Sequence, residues 1–237
     1  MPVIDTQEVM EKVTVFVTRG PAEARELLVF RHPCGGVQLP AGTVEANEPP
    51  GEAALRETWE ETGLTAVTVV GYFGSQTQTM RADYHMVLRT VLLLESPRPD
   101  AEAVIAAFPT YLGLRRGLPV RRLGDPQNGY VKVAYEEFDE IAKEDFSNPS
   151  RSVSGWVPSD AITPLLVRHF YHVTPTEATP DTWIQSAEEW EHRFELYWVP
   201  LPRSASDVGS TGLIPSQAAW VAQYIDRLAV FSFEQSR

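Results

Sequence analysis

Glu57, Glu60 and Glu61 are the residues of this chain whose types and spacing could do chemistry. In a helix each residue advances by about 100°, so with Glu57 at zero, Glu61 falls near 40° and Glu60 near 300°. The three carboxylates then share one face within an arc of about 100°. Ala53 and Ala54 fall on that side and leave room in front of it. Leu55 and Trp59 point the other way, with Thr58 and Thr62 alongside, and are expected to pack against a sheet. Like charges at this spacing repel by roughly 0.2–0.5 kcal/mol per pair in an isolated helix. Arg56 supplies only one compensating charge. A cluster of hard oxygen ligands is what Mg²⁺ or Mn²⁺ binds, with phosphate oxygens completing the shell. Taken on the helix alone, a solvated acidic face is the plainer alternative, and the flanking residues decide between the two.

Gly42, five residues, Glu48, seven residues and then Arg56-Glu57-Thr58-Trp59-Glu60-Glu61-Thr62-Gly63-Leu64 resembles the Nudix box, G-x5-E-x7-R-E-U-x-E-E-x-G-U, where U is an apolar aliphatic residue. Every charged and glycine position is present at the right spacing. Leu39-Pro40-Ala41-Gly42 and Val44-Glu45 are also similar to the usual approach to the box. Thr58 at the first U position departs from the pattern, although its methyl group can still face the core.

The resemblance implies a fold, a site and an activity. The fold is an α/β/α sandwich with a mixed β-sheet, the box forming loop–helix–loop. Glu57, Glu60 and Glu61 stand where the family's metal ligands stand, with Glu57 also a candidate general base. Arg56 matches the residue that orients a neighbouring carboxylate by a charge-assisted bond. Glu48 matches an indirect support of the metal, through a salt bridge or a metal-bound water, and the backbone carbonyl of Ala41 is a further candidate ligand. Gly42 allows the tight loop and Gly63 ends the helix. The implied activity is Mg²⁺- or Mn²⁺-dependent hydrolysis of a diphosphate bond in a nucleoside diphosphate linked to another moiety, or in a related nucleotide polyphosphate. The alternative is a non-catalytic Nudix-fold sensor of a nucleotide or metabolite. The intact carboxylate set argues against it, because binding alone does not require three acidic ligands.

The elements that must position these residues are legible in outline. Strands are expected at 13–17, 26–30, 37–39, 65–72 and 84–94, with a helix from about 51 to 62 that Gly63 caps. Further strands are expected at 130–135, 167–173 and 194–199, and an amphipathic helix from about 216 to 228. The resemblance is strong over 13–94 and returns weakly at 194–228. One domain over 1–237 is expected, with an insertion at about 96–150 forming a lobe or flap beside the site. A partial second Nudix-like half at about 127–237 is the alternative, prompted by the echo of Trp156-Val157-Pro158 in Trp198-Val199-Pro200.

Arg115, Arg116, Arg121 and Arg122 would suit a clamp on terminal phosphates of the substrate, or a solvated loop that balances an acidic chain. His169 and His172 are expected to be ordinary strand histidines. Tyr72, Phe73 and Tyr84 are expected in the core, with stacking on a nucleobase as the other reading. Glu136-Glu137 and Glu188-Glu189 are surface pairs that could also supply a base. A net charge of -12 opposes a nucleic-acid polymer as partner, because that affinity comes from Lys and Arg neutralising phosphates. It leaves room for a small nucleotide-like ligand carried on a divalent cation. Cys34 is the single cysteine, which favours a reducing, cytoplasmic location, and neither a secretory signal nor a membrane span is expected. Whether the chain forms a homodimer stays open. Gly-x-Ser-x-Gly and Gly-x-Gly-x-x-Gly patterns are absent, which removes serine-nucleophile and dinucleotide-fold readings.

Overall fold

Along β1 (Met10–Arg19) the side chains alternate between two buried faces. Val13, Val15 and Val17 lie on one, Thr14, Phe16 and Thr18 on the other, and none is more than 2% exposed. A strand buried on both sides requires a layer on each face of its sheet. In the computed structural model, residues 8–33, 35–81, 83–104, 113–138, 148–187 and 192–230 are described. Cys34, Glu188, Glu189 and part of the alanine-rich stretch after Asp100 lie outside them.

The elements that follow are β2 (Glu26–His32), β3 (Gly36–Gln38), β4 (Ala41–Thr43), α1 (Pro50–Thr62), β5 (Val67–Thr79), β6 (Tyr84–Val87) and β7 (Val91–Leu92). Then come β8 (Gly113–Leu114), β9 (Pro119–Arg122), β10 (Tyr130–Glu137), β11 (Arg151–Pro158), β12 (Ile162–Thr163) and β13 (Leu165–Pro175). β14 (Thr182–Ala187), β15 (His192–Pro200) and α2 (Pro215–Val230) complete the chain. The expected strand at 84–94 is two short pieces. The Val87 carbonyl turns to accept the Gly117 N–H and the Leu88 N–H donates to Ala161, so the ladder breaks there.

Two compact units result. The larger comprises Lys12–Ser75 and the described part of Arg168–Arg237. Its framework is an eight-stranded sheet of order β14-β15-β2-β1-β13-β5, with β3 on β2 and β4 on β1. β1 runs antiparallel to β2 and β4, and β2 to β3 and β15, while a bridge from Val37 to Leu213 is parallel. Phe16, Leu27, Val29, Phe73 and Phe170 pack on Val221, Tyr224, Ile225 and Leu228 of α2. Val13, Val15, Leu28, Phe30, Val173 and Leu196 pack on Ala53 and Ala54 of α1. The two helices therefore cover opposite faces, and this unit is an α/β/α sandwich.

The second unit takes in the described parts of Met1–Glu11, Gln76–Asp139 and Ser147–Val167. It is built on a five-stranded sheet of order β11-β10-β9-β6-β12, beside the β7-β8 pair. Val87, Leu93, Val120, Val131, Val133 and Val157 form its core. Residues 96–150 contribute β8, β9 and β10, and the last two stand inside that sheet between β11 and β6. The segment thus shares one sheet with 76–95 and 151–167. Trp156-Val157-Pro158 ends β11 of this sheet, whereas Trp198-Val199-Pro200 ends β15 of the other. Among the described residues, no helix is long and apolar enough to cross a membrane.

Candidate active site

The site is built on α1 and the three-residue strand β4. Pro50 opens the helix, where a missing N–H costs nothing. Gly63 closes it in the left-handed region at φ 74°, donating its N–H to the Trp59 carbonyl at 2.7 Å. Two side chains of β14 hold the same end: Trp183 Nε1 donates to the Thr62 carbonyl at 2.7 Å and Gln185 Nε2 to the Glu60 carbonyl at 3.2 Å.

The helix is turned differently from the expectation. Ala53, Ala54, Glu57, Thr58 and Thr62 are buried, while Leu55 and Trp59 are 37% and 52% exposed. The reason is that small residues, not large ones, let the helix approach a sheet already filled by Val13, Val15, Leu28 and Phe30. Thr58 is fully buried, and its hydroxyl donates to the Ala54 carbonyl one turn back at 2.7 Å, so the departure from an aliphatic residue leaves no hydroxyl unsatisfied. Glu57 and Glu61 accordingly lie on the sheet side of α1. A shallow hollow of 380 Å³, lined by Leu55, Arg56, Trp59, Leu64, Thr65 and Val67, lies instead on the helix's outer side.

β4 pairs with β1 through Lys12–Thr43, Val13–Gly42 and Thr14–Ala41, and each of its residues meets part of the box. The Ala41 N–H donates to Glu61 Oε2 at 2.8 Å. Gly42 lies directly under the Glu57 carboxylate, so a Cβ at this position would collide with it. That close approach, rather than the tight loop expected from the sequence, is what requires glycine here: Gly42 is an ordinary strand residue and not among the positive-φ glycines. The Thr43 carbonyl accepts Arg56 Nη2 at 3.0 Å.

Arg56 is the hub. Its Nε and Nη2 grip the two oxygens of Glu48 at 2.8 and 2.9 Å, and its Nη1 donates to Glu57 Oε1 and Glu60 Oε2 at 2.9 Å each. Glu48 can reach because its loop turns back on itself, with the Glu45 N–H on Glu48 Oε2 at 2.8 Å and Asn47 at φ 65°. The bidentate Arg56 pair holds the Glu48 carboxyl below its ordinary value, and Glu48 in turn raises the guanidinium's. Burial raises the Glu57 carboxyl, against the opposing pull of Arg56. It raises Glu61 further still, the Ala41 N–H opposing and the charges of Glu57 and Glu60 adding to the rise.

Lys12 is the site residue that sequence reasoning missed. Its ammonium feels both Glu57 and Glu61, yet burial first and Arg168 second lower it to about 8. Nothing in the box points to it, because its place opposite Thr43 exists only once β1 and β4 pair.

The donor chemistry fits a divalent cation. Three carboxylates lie on or beside one helix edge, two of them drawn out of water, and Arg56 is already shared between Glu48, Glu57 and Glu60. Among the described residues no three acid side chains already converge as a cage. Glu57 and Glu60 each lend one oxygen to Arg56 and Glu61 one to the Ala41 N–H, so among the described residues each carboxylate keeps a second oxygen outside these bonds.

The remaining candidates have the following surroundings. Arg115, Arg116, Arg121 and Arg122 belong to the second unit. Arg121 holds Glu136 at 2.6 Å, Arg122 holds Asp125 at 3.0 Å, and Arg116 donates to the Leu88 carbonyl. Glu136 is thereby kept below its ordinary carboxyl value. His172 is a strand histidine, as expected, and is buried with Nε2 2.7 Å from the Thr18 hydroxyl. Phe73 is core, but Tyr72 is 48% exposed, and Tyr84 bonds Glu136 in the second unit. Tyr72 departs from the core expectation because neighbouring strand residues face opposite ways, and Phe73 takes the inward position over α2.

Residues 10–110 match the NUDIX domain family model. Over this segment the chain is similar to the NUDIX domain. No curated protein sequence matches the chain. Among solved structures it is similar to a hydrolase of the NUDIX family from Clostridium perfringens, at 15% identity over 93% of this chain and 99% of that one, with a TM-score of 0.37.

Proposed function

We propose that the protein is a metal-dependent Nudix hydrolase that cleaves a diphosphate bond in a nucleoside diphosphate linked to another moiety. The observation that carries this reading is the arrangement of Arg56 Nη1 between Glu57 Oε1 and Glu60 Oε2, which aims two box carboxylates at one place and leaves each with an unengaged oxygen. Glu57, Glu60 and Glu61 would hold Mg²⁺ or Mn²⁺, with the Ala41 carbonyl as a further ligand and Glu48 acting through Arg56. When bound, such a cation neutralises phosphate charge and makes water easier to deprotonate. Glu57 is the candidate base for the attacking water, its one oxygen outside the Arg56 contact being open either to the cation or to that proton. Arg56 keeps that carboxylate in place, and the bare Gly42 surface lets it lie flat against β4. Positioning and charge supply most of the acceleration in phosphoryl chemistry.

Residues 96–150 are read as an insertion within a single domain. A phosphate clamp of Arg115, Arg116, Arg121 and Arg122 would compete with Glu136 and Asp125 for two of its four guanidiniums. A sensor without turnover would use the same fold but does not require three acidic ligands. The test is product analysis of purified protein against nucleotide sugars, dinucleoside polyphosphates, dinucleotide cofactors and oxidised nucleoside triphosphates, with Mg²⁺ and with chelator. Mononucleotide release that needs the cation supports the hydrolase; tight binding without products supports the sensor.

A further inference from the structure

Arg168 carries its charge into the larger unit without an acid to meet it. It stands on β13 two residues before Phe170, so alternation puts both on the α2 face of the sheet. There its guanidinium lies 4.6 Å from the ring centre of Trp220 on α2. Nη1 donates to the Thr14 hydroxyl at 3.0 Å and reaches toward the Val13 carbonyl at 3.4 Å. Nε is sealed from water and has no acceptor among the described residues. Nη2 has none either, and it is not sealed. Burial alone lowers the group to about 10, and no carboxylate acts to hold its charge. Arg19, Arg56 and Arg121 differ, since each is bonded to an acid. A charge taken out of water with its partner missing is a large cost to a fold.

A second cation stands beside it. Val13, Val15 and Val17 of β1 take the α1 face, so Lys12 shares the α2 face with Thr14 and Phe16. The charge of Arg168 bears on the Lys12 ammonium, and so do those of Glu57 and Glu61. Lys12 therefore lies between Arg168 and the box, where β1 pairs with β4. The two cations repel, and acids offset this at Lys12 alone. Lys12, Arg168 and Trp220 are each only partly buried, so solvent reaches all three.

We propose that Arg168 and Lys12, backed by Trp220, form a phosphate-binding site on the α2 face of the larger unit that needs no divalent cation. An arginine fork with an ammonium beside it suits a phosphoryl group, which offers three oxygens and about two charges. The group takes the Nε–Nη2 edge from its Nη2 end, the half of the fork that the protein leaves without acceptors. Two sources offer this chemistry, a phosphate of the substrate and free inorganic phosphate.

Thermal melts of the full chain in chelator, with inorganic phosphate titrated in at constant ionic strength, read the site without the box cation. Wild type is expected to melt higher as phosphate rises, because a ligand bound only by the folded state stabilises it. Arg168→Met keeps the length and removes the charge. It is expected to melt at least as high as wild type without phosphate, and to bind phosphate about tenfold more weakly or worse. Arg168→Lys, which keeps the charge and loses the fork, should fall between. Lys12→Met must weaken the phosphate response as well, whatever the stability of Arg168→Met. Calorimetry with α,β-methylene-ADP and Mg²⁺ then separates the sources. Weaker binding of this probe by Arg168→Met assigns the site to a substrate phosphate, and unchanged binding assigns it to free phosphate. A wild-type melt that phosphate leaves unmoved, or an equal response in wild type and Arg168→Met, overturns the site and leaves the diphosphate reading standing.

Discussion

The Glu57 carboxylate occupies the space that a side chain on residue 42 would need, so the two residues fit only because Gly42 has none. The obstructing atoms are the far end of a flexible side chain, not backbone. Gly42→Ala should therefore push the carboxylate aside and cost less than the ~1–3 kcal/mol of an overpacked core. Its effect on turnover should be much larger, since displacing a reacting group by about 1 Å can cost roughly 10²-fold. Denaturant melts and initial rates on the same variant check this; a large stability loss with normal turnover per folded molecule would show that Gly42 serves the backbone instead.

Arg56 makes five hydrogen bonds to four residues, and a lysine ammonium cannot reproduce its planar fork. Arg56→Lys is expected to reduce kcat or metal affinity roughly 10–100-fold, as for other residues that orient metal ligands. Rates measured across a Mg²⁺ titration separate the two effects. Wild-type behaviour at every concentration contradicts the role given to the fork.

Trp59 lies on the outer side of α1 and is 52% exposed. Trp59→Ala should cost under about 1 kcal/mol, far below the ~3–5 kcal/mol of deleting a buried aromatic. Ala54→Leu, on the fully buried side, should cost about 1–3 kcal/mol. Paired thermal melts in which Trp59→Ala is the more damaging change would mean that the helix is turned the other way.

His172 gives the fold a pH limit. Burial first, and the charge of Arg25 second, lower its pKa from 6.5 to about 4. The folded state therefore holds this histidine neutral, while the unfolded chain takes up a proton below 6.5. Stability is fully present above 6.5 and falls as pH drops toward 4, by about 3 kcal/mol at most. His172→Gln should flatten that part of the stability–pH curve measured by denaturant melts. An unchanged slope between pH 6.5 and 4 would assign the acid sensitivity to other groups.

The box is legible from residue types and spacing alone because its residues sit in contiguous sequence: the helix that carries Arg56, Glu57, Glu60 and Glu61 and its Gly63 cap form where spacing places them. The rotation of α1 is not. Helical periodicity ranks Leu55 and Trp59 as core because they are large, whereas the sheet beneath is already filled and accepts only alanine and threonine. The nearness of Lys12 to Glu57 and Glu61 depends on the pairing of strands about thirty residues apart, which no local pattern records. The exposure of Tyr72 turns on strand phase, and Tyr72 and Phe73 carry nearly the same hydrophobic signal in sequence. The second unit is legible only as a change of texture after Glu95, because its sheet is assembled from short strands spread over 84–163.

The central claim is that the box carboxylates hold a divalent cation for diphosphate hydrolysis, and Glu60→Gln addresses it most directly. Glu60 is largely solvent-facing, its side chain 44% exposed, so the amide should leave the metal-free melt unchanged. The decisive measurement is the initial rate of mononucleotide release from an ADP-sugar at saturating Mg²⁺, wild type beside Glu60→Gln, each repeated in chelator. The account predicts turnover by wild type that vanishes in chelator, and a fall of ~10²-fold or more in the variant. Wild-type turnover that survives chelator, or a Glu60→Gln enzyme as fast as wild type, contradicts it.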